Sequence, residues 1–168
     1  GNIAGPFSSV LAVTMDPKTL GVPVMKADGS SAFLTFYNVK GKKTLSFKPF
    51  SEPGFFTALP LDVDGDGDLE MAVTRYAENS DAQIRLFDHK GKGLASKRTH
   101  LKTGTGILLL TAAADLNGDW NDELITIPSS GSTELHVDQY DAKNKKWNLL
   151  SKKSILSKKK DGVSRLLA

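Results

Sequence analysis

The feature that most constrains this chain is an internal repeat at a fixed spacing of 53 positions. Residues 55–70 and 108–123 align without a gap, and each copy is an apolar run that leads into an acidic loop. Self-similarity at a period of roughly 20 to 50 residues is typical of propellers, solenoids and other arrays of one small unit. The repeat therefore predicts a chain built from copies of one structural element.

Each unit contains short segments with the pattern of β-strands. After the loops, residues 71–73 and 84–88 match residues 124–126 and 135–140, and all are rich in β-branched, aliphatic or aromatic side chains. Such short runs, bounded by Gly-, Asn- and Lys-rich turns, indicate strands and not helices. The sequence therefore predicts an all-β fold.

The repeat extends beyond the two well-matched copies. Residues 10–14 and 33–42 resemble the strands and hairpin of a unit whose loop has no carboxylate, and residues 162–168 resemble the lead-in at 54–60. The predicted organisation is one repeat domain with units at approximately 1–53, 54–106 and 107–161, in which 162–168 is a strand of a further or closing blade.

The composition excludes cysteine-based chemistry and membrane-spanning helices for this chain. The 168 residues are 39% hydrophobic and 24% charged, as expected of a globular chain, and no cysteine is present. The absence of cysteine excludes disulfides, thiolate nucleophiles and cysteine-held metal clusters. The most apolar run, at 106–114, is half the roughly 20 residues that a membrane-spanning helix needs, so no membrane insertion is expected.

The two acidic loops have the composition of cation sites. Oxygen-bearing side chains recur at positions 1, 3, 5 and 9, and a backbone carbonyl at position 7 can add a ligand; calcium prefers such all-oxygen shells. Glycines at 65 and 67 allow the first loop to turn sharply. The predicted ligands are Asp62, Asp64, Asp66, Asp68 by its carbonyl and Glu70 in the first loop, and Asp115, Asn117, Asp119, Asn121 by its carbonyl and Glu123 in the second.

The second loop departs from the first in two ways. Asn117 replaces a carboxylate, and Trp120 stands where the first loop has Gly67. A tryptophan tolerates positive φ poorly. We therefore expect the second loop either to adopt an ordinary β or right-handed conformation at Trp120 or to bind its calcium ion more weakly.

Three other interpretations compete with a calcium site in these loops. An EF-hand requires a bidentate Glu at position 12, but Val73 and Thr126 occupy that position, so this interpretation fails. Metal-free Asp/Gly surface turns stay open as an alternative. A catalytic carboxylate pair is also conceivable, although a repeated turn does not by itself specify the cleft that glycosidases use.

The pattern D-x-D-G-D-G-x-x-[DE] in a unit of about 50 residues, followed by an apolar strand, resembles the FG-GAP/VCBS repeat. That repeat is the blade of calcium-binding β-propellers such as integrin α-subunit heads. The resemblance covers residues 55–150 well and 10–50 loosely. It implies a propeller-like array of about three four-stranded antiparallel blades, with structural calcium ions in the two loops and ligands bound elsewhere on the disc.

Three blades alone pose a packing problem. Propellers usually have about four to eight blades, so three should leave open strand edges and an exposed apolar flank. We expect either that the chain is a fragment of a longer propeller or that two copies form a homodimer that closes a six-blade ring.

The remaining polar features indicate no catalytic centre. Residues 141–168 carry nine Lys or Arg against two Asp, but lysines on edge strands are usually solvated, and no specific nucleic-acid binding is expected. The three histidines are scattered. The expected function is a non-enzymatic, calcium-stabilised binding or adhesion module, extracellular or at the cell surface, with a protein or glycan ligand. The alternative is a lectin or the non-catalytic part of a carbohydrate-active enzyme.

Overall fold

The computed structural model describes residues 13–15, 19–27, 32–38, 40–52, 54–76, 80–103, 109–128 and 134–154. Within these ranges all regular elements are β-strands and all strand pairs are antiparallel, so the all-β prediction is confirmed. None of these ranges holds a helix that could cross a bilayer. The predictions for residues 1–9 and 162–168 lie outside the described residues.

The described strands form three four-stranded sheets, one in each predicted unit, with neighbouring strands in chain order. The first sheet consists of β1 (Val13–Met15), β2 (Thr19–Ala27), β3 (Ala32–Tyr37) and β4 (Lys43–Phe50). The second consists of β5 (Phe55–Leu61), β6 (Glu70–Tyr76), β7 (Ser80–Phe87) and β8 (Gly93–Thr103). The third consists of β9 (Leu109–Ala114), β10 (Glu123–Pro128), β11 (Glu134–Asp141) and β12 (Lys146–Ser154).

The second sheet lies between the other two and is covered on both faces. Because successive side chains of a strand point to opposite faces, Met71 and Val73 of β6 pack against the first sheet while Ala72 packs against the third. All three side chains are buried. The first interface contains Leu34, Phe36 and Phe50 with Ala58 and Phe87, and the second contains Leu61, Ile84 and Leu86 with Leu124 and Tyr140.

The third sheet is also covered on both faces along β10. Leu124 faces the second sheet, so Ile125 and Ile127 face away from it, yet they are only 7% and 0% exposed. The prediction of an exposed apolar flank is therefore wrong for this strand. The outer strand β12 differs, because Leu149 and Leu150 are about half exposed.

A buried ion pair joins the second and third sheets. Lys97 of β8 contacts Asp138 of β11, whose side chain is completely buried. Neither carboxylate oxygen of Asp138 accepts a hydrogen bond from another described group. The ammonium of Lys97 is therefore the partner that offsets the cost of burying this charge.

The chain order of the strands places the acidic loops and the outer hairpins at one end of the molecule. In the second sheet the first loop, residues 62–70, joins β5 to β6, and the turn at 88–92 joins β7 to β8 at the same end. In the third sheet the second loop, residues 115–123, occupies the equivalent place between β9 and β10. The two acidic loops are consequently neighbours.

Candidate metal centre

The first loop curls around the carboxylate of its first residue. Asp62 Oδ1 accepts a hydrogen bond from the Gly65 N–H at 2.7 Å, and Asp62 Oδ2 accepts one from the Gly67 N–H at 3.0 Å. Both glycines have positive φ, at 72° and 86°. Asp66 Oδ1 adds a bond from the Asp68 N–H at 2.8 Å. These bonds wind the backbone into a tight loop around the Asp62 side chain.

Three carboxylates of the first loop converge. Asp62, Asp64 and Glu70 each offer one oxygen, and these three oxygens lie within 4.8 Å of one another. Glu70, at the start of β6, is only 4% exposed, and its Oε2 accepts the Val63 N–H at 3.2 Å. Strand β6 therefore presents a buried carboxylate to the base of the loop.

The electrostatics of this cluster favour a cation. Burial, together with the charges of Asp64, Asp66 and Asp62, raises the pKa of Glu70 to about 7. Burial also raises the pKa of Asp64, and the Asp66 carboxylate adds to that shift. Carboxylates that repel one another in a partly desolvated site are stabilised in their ionised form by a bound cation.

The second loop has the same backbone form as the first. Asp115 Oδ1 accepts the Gly118 N–H at 2.7 Å, and Asp115 Oδ2 accepts the Trp120 N–H at 3.0 Å. The φ angle of Trp120 is 71°, close to that of Gly67 in the first loop. Of the two alternatives expected for the second loop, the ordinary β or right-handed conformation at Trp120 is therefore not adopted, because the two bonds to Asp115 hold the backbone in the left-handed region; weaker calcium binding stays a prediction.

The side chains of the second loop are arranged differently. The Asn117 amide donates to Glu123 Oε1 at 3.0 Å and to Asp119 Oδ2 at 3.2 Å, so an NH₂ group lies between two carboxylates. Gln139 donates to the same Asp119 oxygen at 2.6 Å. For Asn117 to serve as a ligand, its amide must rotate so that Oδ1 replaces Nδ2. These features favour the first loop as the stronger cation site.

In the second loop, the pKa values of Glu123 and Asp119 are shifted in opposite directions. Burial raises the pKa of Glu123, whose side chain is fully buried and accepts the Leu116 N–H at 2.8 Å. Hydrogen bonding from the Asn121 N–H, at 2.9 Å, lowers the pKa of the exposed Asp119. Glu123 thus repeats the buried position of Glu70, whereas Asp119 is already stabilised as an anion by hydrogen bonds.

Two predicted ligands of the first loop, Asp66 and Asp68, lie outside its converging trio. Asp66 is exposed, and Asp68 Oδ2 lies 3.7 Å from His89 Nδ1 of the neighbouring hairpin. Asn121 points its Oδ1 toward Gly65 of the first loop. The predicted carbonyl ligands at Asp68 and Asn121 stay predictions.

One residue outside the ligand pattern links the two loops. Asp122 Oδ2 accepts the Asp62 N–H at 2.9 Å, and the Asp122 N–H donates to the Asp62 carbonyl at 2.6 Å. At the repeat spacing Asp122 corresponds to Leu69, which packs against the core shared with the first sheet. Sequence reasoning missed Asp122, and the signal that marks it is this departure from the repeat.

The donor chemistry of the first loop fits calcium. All of its candidate ligands are oxygens, the cluster carries several negative charges, and the loop allows the irregular shells that calcium accepts. Magnesium requires a more regular octahedral shell and gives up its water reluctantly. When bound, a calcium ion would fix the loop against β6 through Asp62, Asp64 and Glu70.

Comparison with known proteins identifies the repeat. Residues 62–126 match the family described as FG-GAP-like repeat. The matched segment begins at Asp62, contains both acidic loops and ends in β10. No match was found among the curated proteins or the solved structures. The predicted resemblance to the FG-GAP/VCBS repeat is thereby confirmed for this segment.

Proposed function

We propose that the FG-GAP-type repeat of residues 62–126 makes this chain a calcium-stabilised, non-catalytic binding or adhesion module. The observation that carries the proposal is the convergence of the Asp62, Asp64 and Glu70 oxygens within 4.8 Å, on a loop whose Gly65 and Gly67 N–H groups donate to the Asp62 carboxylate. The calcium ion in this proposal is structural. It stabilises one end of the stacked sheets, and the ligand binds elsewhere on their surface.

The proposal extends to a second site and to the cellular setting. The second loop repeats the backbone form of the first and binds its calcium ion more weakly, because Asn117 replaces one carboxylate. Weak sites of this kind are filled where calcium is millimolar, as it is outside cells. We therefore place the module outside the cell or at its surface, with a protein or glycan ligand.

The three sheets are proposed to be blades of a β-propeller. Their face-to-face order and their equivalent strand order support this assignment. Because three blades do not close a ring of usual size, the complete propeller contains either further blades of a longer chain or a second copy of this chain in a six-blade homodimer. Sedimentation of the isolated chain distinguishes a monomer from such a dimer.

A lectin is the second candidate function, and Trp120 is the observation that favours it. The Trp120 side chain is 81% exposed, and exposed indole rings provide apolar faces on which sugar rings stack. Asp119, beside it in the chain, offers a polar group for a sugar hydroxyl. Glycan-array binding that is lost in Trp120→Ala supports the lectin, whereas binding that is unchanged in this variant removes the argument.

Isothermal titration calorimetry of the full chain with calcium tests the proposed cation sites. The expected result is binding at two unequal sites, with the tighter site weakened in Asp64→Asn, which gives the first loop the residue that the second loop has at Asn117. Asp81→Asn, which removes a carboxylate on β7 outside both acidic loops, is the matched control and retains both sites. Absence of calcium binding, or equal loss of binding in both variants, would overturn the proposal.

A further inference from the structure

We propose that Asp122 couples the two acidic loops, so that a calcium ion in the second loop strengthens calcium binding in the first. This inference rests on the proposed calcium sites and describes how one regulates the other. Asp122 is a positioning residue in this scheme, since its contacts are to the backbone of Asp62. The coupling follows from hydrogen bonds and from a close backbone approach between the loops.

The hydrogen bonds between the loops hold the first ligand residue from both sides of its backbone. Asp122 Oδ2 accepts the Asp62 N–H, and the Asp122 N–H donates to the Asp62 carbonyl, at 2.9 and 2.6 Å. The Asp62 carboxylate also accepts hydrogen bonds from the Gly65 and Gly67 N–H groups. One of its oxygens belongs to the converging group with Asp64 and Glu70. The orientation of Asp62 therefore depends on where Asp122 lies.

Asp122 is fixed in turn by the second loop. It immediately precedes Glu123, the buried carboxylate that begins β10 and that accepts hydrogen bonds from the Leu116 N–H and the Asn117 amide. A cation that fixes Glu123 therefore also fixes the backbone of Asp122. The two candidate sites are therefore connected through three residues: Glu123 adjoins Asp122 in the chain, and Asp122 is hydrogen-bonded to Asp62.

The two loops also lie against each other at Gly65. A Cβ atom placed on Gly65 would lie 3.1 Å from the Trp120 carbonyl oxygen and 3.1 Å from Asn121 Oδ1. This spacing is tighter than ordinary contact, so a side chain at position 65 would press on the backbone of the second loop. Glycine at 65 is what allows the backbone of the second loop to lie against the first.

Calcium binding at one loop should consequently reduce the conformational entropy that is lost when calcium binds at the other loop. A first ligand that restrains a shared segment leaves less conformational freedom for the second ligand to remove, and this produces positive cooperativity. Linkage requires the effect to be reciprocal. Couplings of this kind commonly change affinity at least fivefold, so we expect about a fivefold or larger effect here.

A thermodynamic cycle measured by calorimetry tests the coupling on the full chain. The second loop is disabled by Asp119→Ala, and calcium affinity at the first loop is compared with and without this change. In the otherwise natural chain, disabling the second loop should weaken the first site about fivefold or more. In an Asp122→Ala background the same change should leave the first site unaltered.

Asp122→Asn provides the matched control, because asparagine keeps an oxygen that can accept the Asp62 N–H while losing the charge. This variant should retain most of the coupling, which shows that position and not charge carries the effect. If Asp122→Ala does not fold, as judged by circular dichroism in EDTA, the test background is Asp122→Leu, which places at 122 the residue that the first unit has at Leu69. Coupling retained in Asp122→Leu would refute the role of Asp122, and coupling lost in Asp122→Asn would overturn the claim that position and not charge carries the effect.

The outcomes separate this inference from the proposed function. If the natural chain binds two calcium ions and Asp119→Ala leaves first-site affinity unchanged, the coupling is refuted while the calcium sites stand. Coupling of equal size in the natural chain and in Asp122→Ala refutes the role of Asp122. If no calcium binds to the natural chain, the proposed function and the coupling that rests on it both fall.

Discussion

Because the Glu70 carboxylate is buried, the calcium-free protein should become less stable as the pH rises. Burial and the neighbouring carboxylates raise the pKa of Glu70 from 4.5 to about 7. The folded state therefore holds this proton more tightly than the unfolded state does. The resulting stabilisation is complete below about pH 4.5 and is lost as the pH rises through 7.

The size of the effect follows from the two pKa values. One pKa unit corresponds to 1.36 kcal/mol, so the rise of Glu70 from 4.5 to about 7 corresponds to about 3 kcal/mol. Since Glu70 is only 4% exposed, solvent screens little of this energy. In EDTA, Glu70→Gln should remove this part of the pH dependence and be more stable than the natural chain at pH 8.

Urea denaturation in EDTA at pH 5, 6, 7 and 8 measures the effect. The difference in unfolding free energy between Glu70→Gln and the natural chain should change by about 3 kcal/mol at most across this range. Glu134→Gln is the control, because Lys152 lowers the pKa of Glu134 and its titration lies below this range. Parallel pH curves for the natural chain and Glu70→Gln would refute the reasoning.

Two further substitutions test the backbone strain at Trp120 and the buried charge of Asp138. Trp120→Gly should raise the unfolding free energy in EDTA by up to about 1 kcal/mol, because glycine relieves the left-handed φ of 71° at an exposed side chain. Trp120→Ala keeps the strain, so equal urea stability of the two variants would contradict this. Asp138→Ala should cost about 3–5 kcal/mol by leaving the Lys97 ammonium without its partner. The double variant Asp138→Leu, Lys97→Met should recover most of that loss in the same assay, and a double variant as unstable as the single one would contradict it.

The repeat made the β-strands and the acidic loops predictable from the sequence, because both depend on local pattern. Loop positions 1, 3 and 9 place Asp62, Asp64 and Glu70, and a glycine-rich backbone brings their oxygens together. The residue types therefore contained the information for this part of the site.

The contacts that depend on how the sheets stack could not be predicted in the same way. Asp122 reaches Asp62 only because the third sheet packs beside the second, and Lys97 meets Asp138 for the same reason. The conformation of Trp120 was missed because a propensity argument ignored the hydrogen bonds that the Gly118 and Trp120 N–H groups donate to Asp115. In each case the feature depends on a contact between sheets or on a bond that closes a loop, and the local sequence pattern does not specify either.

The most direct test of calcium as a structural ion is a thermal melt of the full chain in excess EDTA, in a few millimolar calcium, and in the same concentration of magnesium. At about 100 times its dissociation constant, calcium stabilises the fold by about 2.7 kcal/mol, which raises the melting temperature by about 5–10 °C for a chain of this size. The melting temperature should rise by this amount with calcium, rise much less with magnesium, and rise less with calcium in Asp64→Asn than in the natural chain. Identical melting temperatures in EDTA and calcium would contradict it.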